Sequence, residues 1–191
     1  MTPPARTCFV AAFLLSCCTA VQAAKISAID PAKSEIKFVG RQMGVAAEGR
    51  FKKFEVAIQF DTDKLAASRV AVNLDVASID TGARESDDEV KSRAWFDIKT
   101  HPTAKFVLTG LRSMGAKQYE ARGQLTIKGK TREIVVPLSV KANGSGSIIE
   151  GSFSMKRLQF GLGEGPWADT DTVADDVEVR FHFESANVAP K

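Results

Sequence analysis

Residue types able to do chemistry are few in this 191-residue chain: three cysteines, two histidines and one dense aspartate group. Cys8, Cys17 and Cys18 all lie near the N-terminus, so a thiolate nucleophile or a Cys/His zinc site would have to be built there. His101 precedes Pro102, which biases it towards extended or turn backbone, and it reads as a loop residue. His182 shares the polar phase of its segment with Glu178, Arg180 and Glu184 and reads as a solvated imidazole. A serine triad needs a histidine, an orienting carboxylate and a nucleophile elbow, and no elbow motif occurs. In "WADTDTVADD", Asp169, Asp171, Asp175 and Asp176 could approach a calcium ion, but the Gly and bidentate Glu offsets of an EF-hand loop are missing. That group reads as a solvated loop ahead of a strand. The expectation is a protein without a catalytic group, a metal or a cofactor.

One charged residue is out of place. "GSFSMKRLQF" (151–160) alternates with a period of two, Phe153 and Met155 on one phase, Ser152, Ser154 and Lys156 on the other. Successive strand side chains point to opposite faces, so an unbroken register puts Arg157 on the apolar side. What that side faces depends on the rest of the chain.

The same alternation recurs. "KFEVAIQFD" sets Phe54, Val56, Ile58 and Phe60 against Glu55 and Gln59, and "RVAVNLDVAS" sets Val70, Val72, Leu74 and Val76 against Asn73 and Asp75. "YEARGQLTIKG" groups Tyr119, Leu125 and Ile127; "REIVVPLSV" groups Ile134, Val136, Leu138 and Val140; "DVEVRFHFES" groups Val177, Val179, Phe181 and Phe183. Two further strands fit Glu35–Gly40, with Ile36 and Phe38 together, and Lys105–Leu111, with Phe106 and Leu108 together. Counting the strand at 149–157, this makes about eight, each with one apolar and one wet face, the pattern of an antiparallel sheet. "IKGKT" reads as a hairpin and "ANGSGS" as a loop. "ARESDDEVKSRAWFDI" breaks the period; Ser86 with Glu89 predicts a capped helix over about 86–94, ending before Trp95-Phe96. Eight one-sided strands with mostly short connections favour a barrel, just wide enough to be filled by side chains or to hold one slender ligand.

The N-terminus, "MTPPARTCFVAAFLLSCCTAVQAAKIS", has a secretory layout: Arg6, an apolar run from Cys8 to Leu15, then Val21-Gln22-Ala23 as an A-x-A-like site. Cleavage is expected after Ala23 or Ala24, leaving a barrel domain over 25–186 and a tail over 187–191, in the periplasm. Lipoprotein processing at Cys17, in Leu14-Leu15-Ser16-Cys17, is the minor alternative. The apolar run is too short to span a membrane, which takes ~20 residues, so no stable membrane insertion is expected. All three cysteines leave with the signal, and the remaining chain relies on core packing without disulfides. A formal charge of +3, or +2 without Arg6, with both signs interleaved, is no nucleic-acid footprint.

"WFDIKTHPTAKFVLTGL", "GQLTIKGKTREIVVPL" and "MKRLQFGLGEGPWADTDTVADDVEVRF" resemble successive signatures of the YceI-like family, secreted bacterial proteins that bind polyisoprenoids. The likeness runs from about Ile26 to Glu184. It implies an eight-stranded lipocalin-like barrel with one short helix and a long cavity for an isoprenoid lipid of the polyprenyl phosphate or quinone type. The cavity walls would then be Phe38, Phe54, Val56, Ile58, Phe60, Val72, Leu74, Trp95, Phe96, Phe106, Leu108, Leu125, Ile127, Val136, Leu138, Phe153, Met155, Phe181 and Phe183. Three readings of Arg157 stay open: a buried pair with a carboxylate such as Asp97, displacement by a bulge, or contact with a phosphorylated head group, which a guanidinium suits. A binding protein without catalysis is the leading expectation; an enzyme acting on such a lipid and a closed-core interaction domain are the alternatives.

Overall fold

Because the pleat sends alternate side chains to opposite faces, segments patterned this way must curl until their apolar faces meet. A computed structural model describes residues 25–144 and 146–185 and shows that outcome. The expected signal segment and the 187–191 tail lie outside the described residues. The strands are β1 Lys25–Ile26, β2 Glu35–Gln42, β3 Val45–Phe51, β4 Phe54–Asp61, β5 Arg69–Asp75, β6 Ile79–Asp80, β7 Thr103–Gly115, β8 Gln118–Ile127, β9 Lys130–Asn143, β10 Gly146–Lys156 and β11 Asp176–Glu184. One helix, α1, spans Arg84–Lys91. All strands belong to one antiparallel sheet in the order β1-β4-β5-β7-β8-β9-β10-β11-β2-β3-β6.

The sheet curls so that its two ends are tied together. Lys25–Ile26 pairs with the end of β4, and Ile29, three residues on, bridges Ser185 just beyond β11. At the other corner Lys52 donates to Ser78 O (3.1 Å) and Asp75 to Lys53 O (3.1 Å), which joins the β3–β4 bend to the β5–β6 bend. The all-β, barrel-like expectation holds, with a higher strand count than eight. Beyond two short pairing segments, the addition is β3. Its sequence, "VAAEGRF", has Ala47 and Gly49 in the middle of the inward phase, between Val45 and Phe51, so its alternation is faint. What forces it to pair is the Met43-Gly44 turn, with φ of 50° and 79°, which folds it back on β2 from Gln42↔Val45 to Ile36↔Phe51.

Helix α1 also differs from expectation. It begins two residues earlier than 86, ends at Lys91, and Ser86 makes no cap; the N-cap position is Ala83. Anchoring comes from Asp87, whose Oδ1 accepts from both Thr81 N–H and Thr81 Oγ1 at 2.7 Å. Asp87→Ala removes both bonds and is expected to lower unfolding stability by about 1–2 kcal/mol, read as a shifted urea midpoint at constant m-value.

Candidate functional site

The converging apolar faces do not fill the space between them. Between them lies a cavity of about 250 Å³ whose wall presents essentially no polar atom. Many lining residues, among them Phe38, Val56, Val72, Phe106, Leu138, Phe153, Val179 and Phe181, are only half-buried although they face inward. Their accessible area opens into the cavity. Where β4 finishes, the interior is packed: Phe60 meets Tyr119 edge-on at 5.5 Å and Ile26 is 2% exposed. Towards the other end the walls are completed by Val90 of α1 and by Trp95, Phe96 and Leu162.

Of the expected wall residues, Val56, Ile58, Phe60, Val72, Leu74, Trp95, Phe96, Leu108, Leu125, Ile127, Val136, Phe153, Met155 and Phe183 line this cavity with the others just named. Phe54 does not. It opens β4 at the corner with β3, and its ring packs against Phe183 at 5.8 Å instead. Among the wall residues absent from the expectation, two groups are instructive. Ile36, Val70, Ile134, Val140, Val177 and Val179 share a phase with residues that were named, so the signal was present. Phe51, Ile79 and Leu162 come from elements that alternation does not reveal.

Arg157 is the main correction. Strand β10 ends at Lys156, and Arg157 starts a 3₁₀ turn running to Phe160. The side chain is 1% exposed, and its guanidinium donates to five backbone carbonyls. Nε reaches Ala174 O (3.1 Å), Nη1 reaches Leu162 O (2.7 Å) and Gly163 O (3.1 Å), and Nη2 reaches Trp167 O and Val173 O, both at 2.7 Å. A guanidinium has five N–H donors, so none is left for a head group. Nor does a pair with Asp97 form. Burial lowers the Arg157 pKa, the nearby charge of Asp175 opposing it. Trp95 covers the cation, its ring centroid 5.4 Å from Cζ. Gly163, at φ +77°, is required here: a Cβ would stand 2.3 Å from Nη1. Arg157 thus organises the 162–174 loop that caps one end of the barrel.

Lysine and aspartates finish this cap. Lys128 Nζ donates to Arg93 O (2.9 Å) and Gly161 O (2.7 Å) and pairs with Glu164 at 3.2 Å. Asp175 accepts from Leu158 N–H (3.0 Å), Asp176 pairs with Lys156 (2.7 Å), and Asp169 accepts from Asp171 N–H (3.0 Å) and Thr172 Oγ1 (2.9 Å). Asp169 thus braces its own loop, while Asp175 and Asp176 tie the loop end and the start of β11 to the 156–158 segment. His182 is on the outer face, Nδ1 3.0 Å from Glu150.

The carboxylates with shifted titration face outward. Lys141 at 2.7 Å, then His182, hold Glu150 below the usual carboxylate range, and Arg112 does the same for Glu120. A depressed folded-state pKa means stability that is present above the unfolded pKa and lost as pH falls through the folded one. Unfolding stability is therefore expected to decline progressively from about pH 4 downwards, as denaturant titrations across pH will show.

A family model for the YceI-like domain matches residues 28–185. The chain belongs to the YceI-like family. Curated relatives of this YceI-like barrel include UPF0312 proteins of Azotobacter vinelandii, 32% identical over 60% of this chain, and of Pseudomonas syringae pv. tomato, 32% identical over 70% of it. The matched part spans 62% of the first relative's length and 71% of the second's. Among solved structures, Burkholderia cenocepacia BcnA superposes with a TM-score of 0.80 at 40% identity, covering 83% of this chain and 99% of that one. A polyisoprenoid binding domain from Saccharophagus degradans superposes with a TM-score of 0.66 at 16% identity, covering 84% and 99%, a likeness of fold alone.

Proposed function

We propose that this protein is a non-enzymatic carrier that holds one long isoprenoid tail, of the polyprenyl phosphate or quinone type, inside the barrel, and that it works in the periplasm. The observation that carries the reading is the cavity itself, apolar throughout, with no carboxylate or histidine among the lining residues. An apolar void of this kind stays dry and is stabilised by an apolar guest. Each five-carbon unit buried contributes on the order of 3–4 kcal/mol gross, so three units match typical association costs of ~4–15 kcal/mol. The binding described for the Saccharophagus degradans domain supports the same class of ligand. The location is supported by the secretory layout of the first 24 residues.

With its five donors engaged by carbonyls, Arg157 offers nothing to a charged head group. Two results follow. Affinity for an uncharged prenyl alcohol stays constant between about pH 5 and 8, because no histidine or carboxylate lines the cavity. Organic extraction of the protein purified from its native compartment, followed by mass spectrometry, should release a prenyl lipid near one per chain. An extract without lipid, from protein that also fails to take up added prenyl alcohol, contradicts the proposal; chemical conversion of the added lipid favours an enzyme.

A further inference from the structure

Three wall phenylalanines lean across onto glycines of a neighbouring strand. Phe38 is the direct cross-strand partner of Gly49, and Phe181 that of Gly151. Phe106 lies one step diagonally from Gly123, which pairs with Leu108. A Cβ at Gly49 would fall 2.3 Å from Phe38 Cζ; at Gly123, 2.3 Å from Phe106 Cζ; at Gly151, 2.6 Å from Phe181 Cζ. Real side chains do not approach so closely, so each ring occupies the place a neighbour's side chain would otherwise take.

Backbone conformation does not explain these glycines. None of the three has the left-handed φ found at the turn glycines. Glycine within a strand costs roughly 0.5–1 kcal/mol relative to alanine, so its presence at three inward positions needs another reason. All three rings line the cavity and remain half-buried, whereas a ring used to plug a core would be buried fully. If the glycine recess is closed, the sheet stands on one side of the ring and the cavity on the other. The ring can only turn inward.

Resting on the carrier reading, we propose that Gly49, Gly123 and Gly151 set the bore of the tunnel: they recess the rings of Phe38, Phe106 and Phe181, and the width gained admits the methyl branches of an isoprenoid chain. The three positions differ in how cleanly they test this. Added Cβ atoms at Gly123 and Gly151 would also meet backbone oxygens, Val107 O and Pro137 O, both at 2.6 Å. At Gly49 the close atoms are all Phe38 ring carbons, so Gly49→Ala moves the ring and leaves the backbone in place.

The experiment compares wild type, Gly49→Ala and Gly49→Ala/Phe38→Leu for binding of geranylgeraniol, which is branched, and hexadecanol, which is straight, by quenching of tryptophan fluorescence. Gly49→Ala should weaken geranylgeraniol about tenfold, the loss of roughly two buried methylene-sized groups, and hexadecanol markedly less. The double variant should recover most of the loss. Equal affinities of wild type and Gly49→Ala for geranylgeraniol, or equal losses for both alcohols that the double variant does not recover, overturn the proposal. Wild type binding neither alcohol sinks the carrier reading instead, and a crystal structure of ligand-free Gly49→Ala then decides the bore separately: an inward Phe38 ring supports it, an unmoved ring overturns it. If Gly49→Ala does not fold, the double variant carries the comparison, and failure of both to fold counts against a recess that only a ring fills.

Discussion

Arg157→Met is expected to melt roughly 10 °C below wild type. The physical reason is the five carbonyls of Leu162, Gly163, Trp167, Val173 and Ala174, which the guanidinium satisfies at 2.7–3.1 Å within a site 1% exposed. Methionine replaces the volume and offers no donor. Removing one partner from a buried, hydrogen-bonded charge site typically costs about 3–5 kcal/mol, because the remaining groups are left desolvated and unpaired. Arg157→Lys should recover little, since an ammonium has three donors on a point charge and cannot span acceptors spread across this loop. Differential scanning calorimetry reads the effect. A melting point within 2 °C of wild type would mean that the 162–174 loop does not depend on the guanidinium.

The second large effect is on binding. Val179 lies at mid-strand in β11, paired with Phe38 on one side and Phe153 on the other, and its half-buried side chain faces the cavity. Val179→Trp puts a ring where the chain would pass. Displacing about one five-carbon unit forfeits ~3–4 kcal/mol, so affinity for a prenyl alcohol should fall by about two orders of magnitude or more. Folding should suffer far less, within about 1–3 kcal/mol, because the new ring enters existing space rather than a packed core. Retained affinity in a folded Val179→Trp protein would place the ligand somewhere other than the tunnel.

These two residues also mark how far the sequence carries. Val179 and its phase-mates are legible because a strand buried on one face has to alternate, and "DVEVRFHFES" does so without a break. The same rule misplaces Arg157, since alternation says which face a residue takes only while the strand lasts. The ladder of β10 ends at Lys156↔Asp176, and one residue later the chain turns. Strand β3 escapes notice for the opposite reason: it is a true strand whose middle inward residues, Ala47 and Gly49, are too small to register as apolar. Their smallness belongs to the site. Gly49 is silent in a sequence pattern and becomes informative only when register sets it beneath Phe38. At α1, Ser86 and Glu89 have the spacing of a capping box, yet the contact that anchors the helix joins Thr81 to Asp87, six residues apart. Local motifs compete, and tertiary geometry decides among them.

What the account depends on most is that a hydrocarbon enters the barrel. A crystal structure of the protein reconstituted with geranylgeraniol tests this directly. The account predicts continuous density along the axis, bounded by Val179, Phe181, Phe106 and Leu138, with the hydroxyl end outside the apolar wall. Density confined to the outer surface, or an interior in which side chains have collapsed and no chain is found, would contradict it.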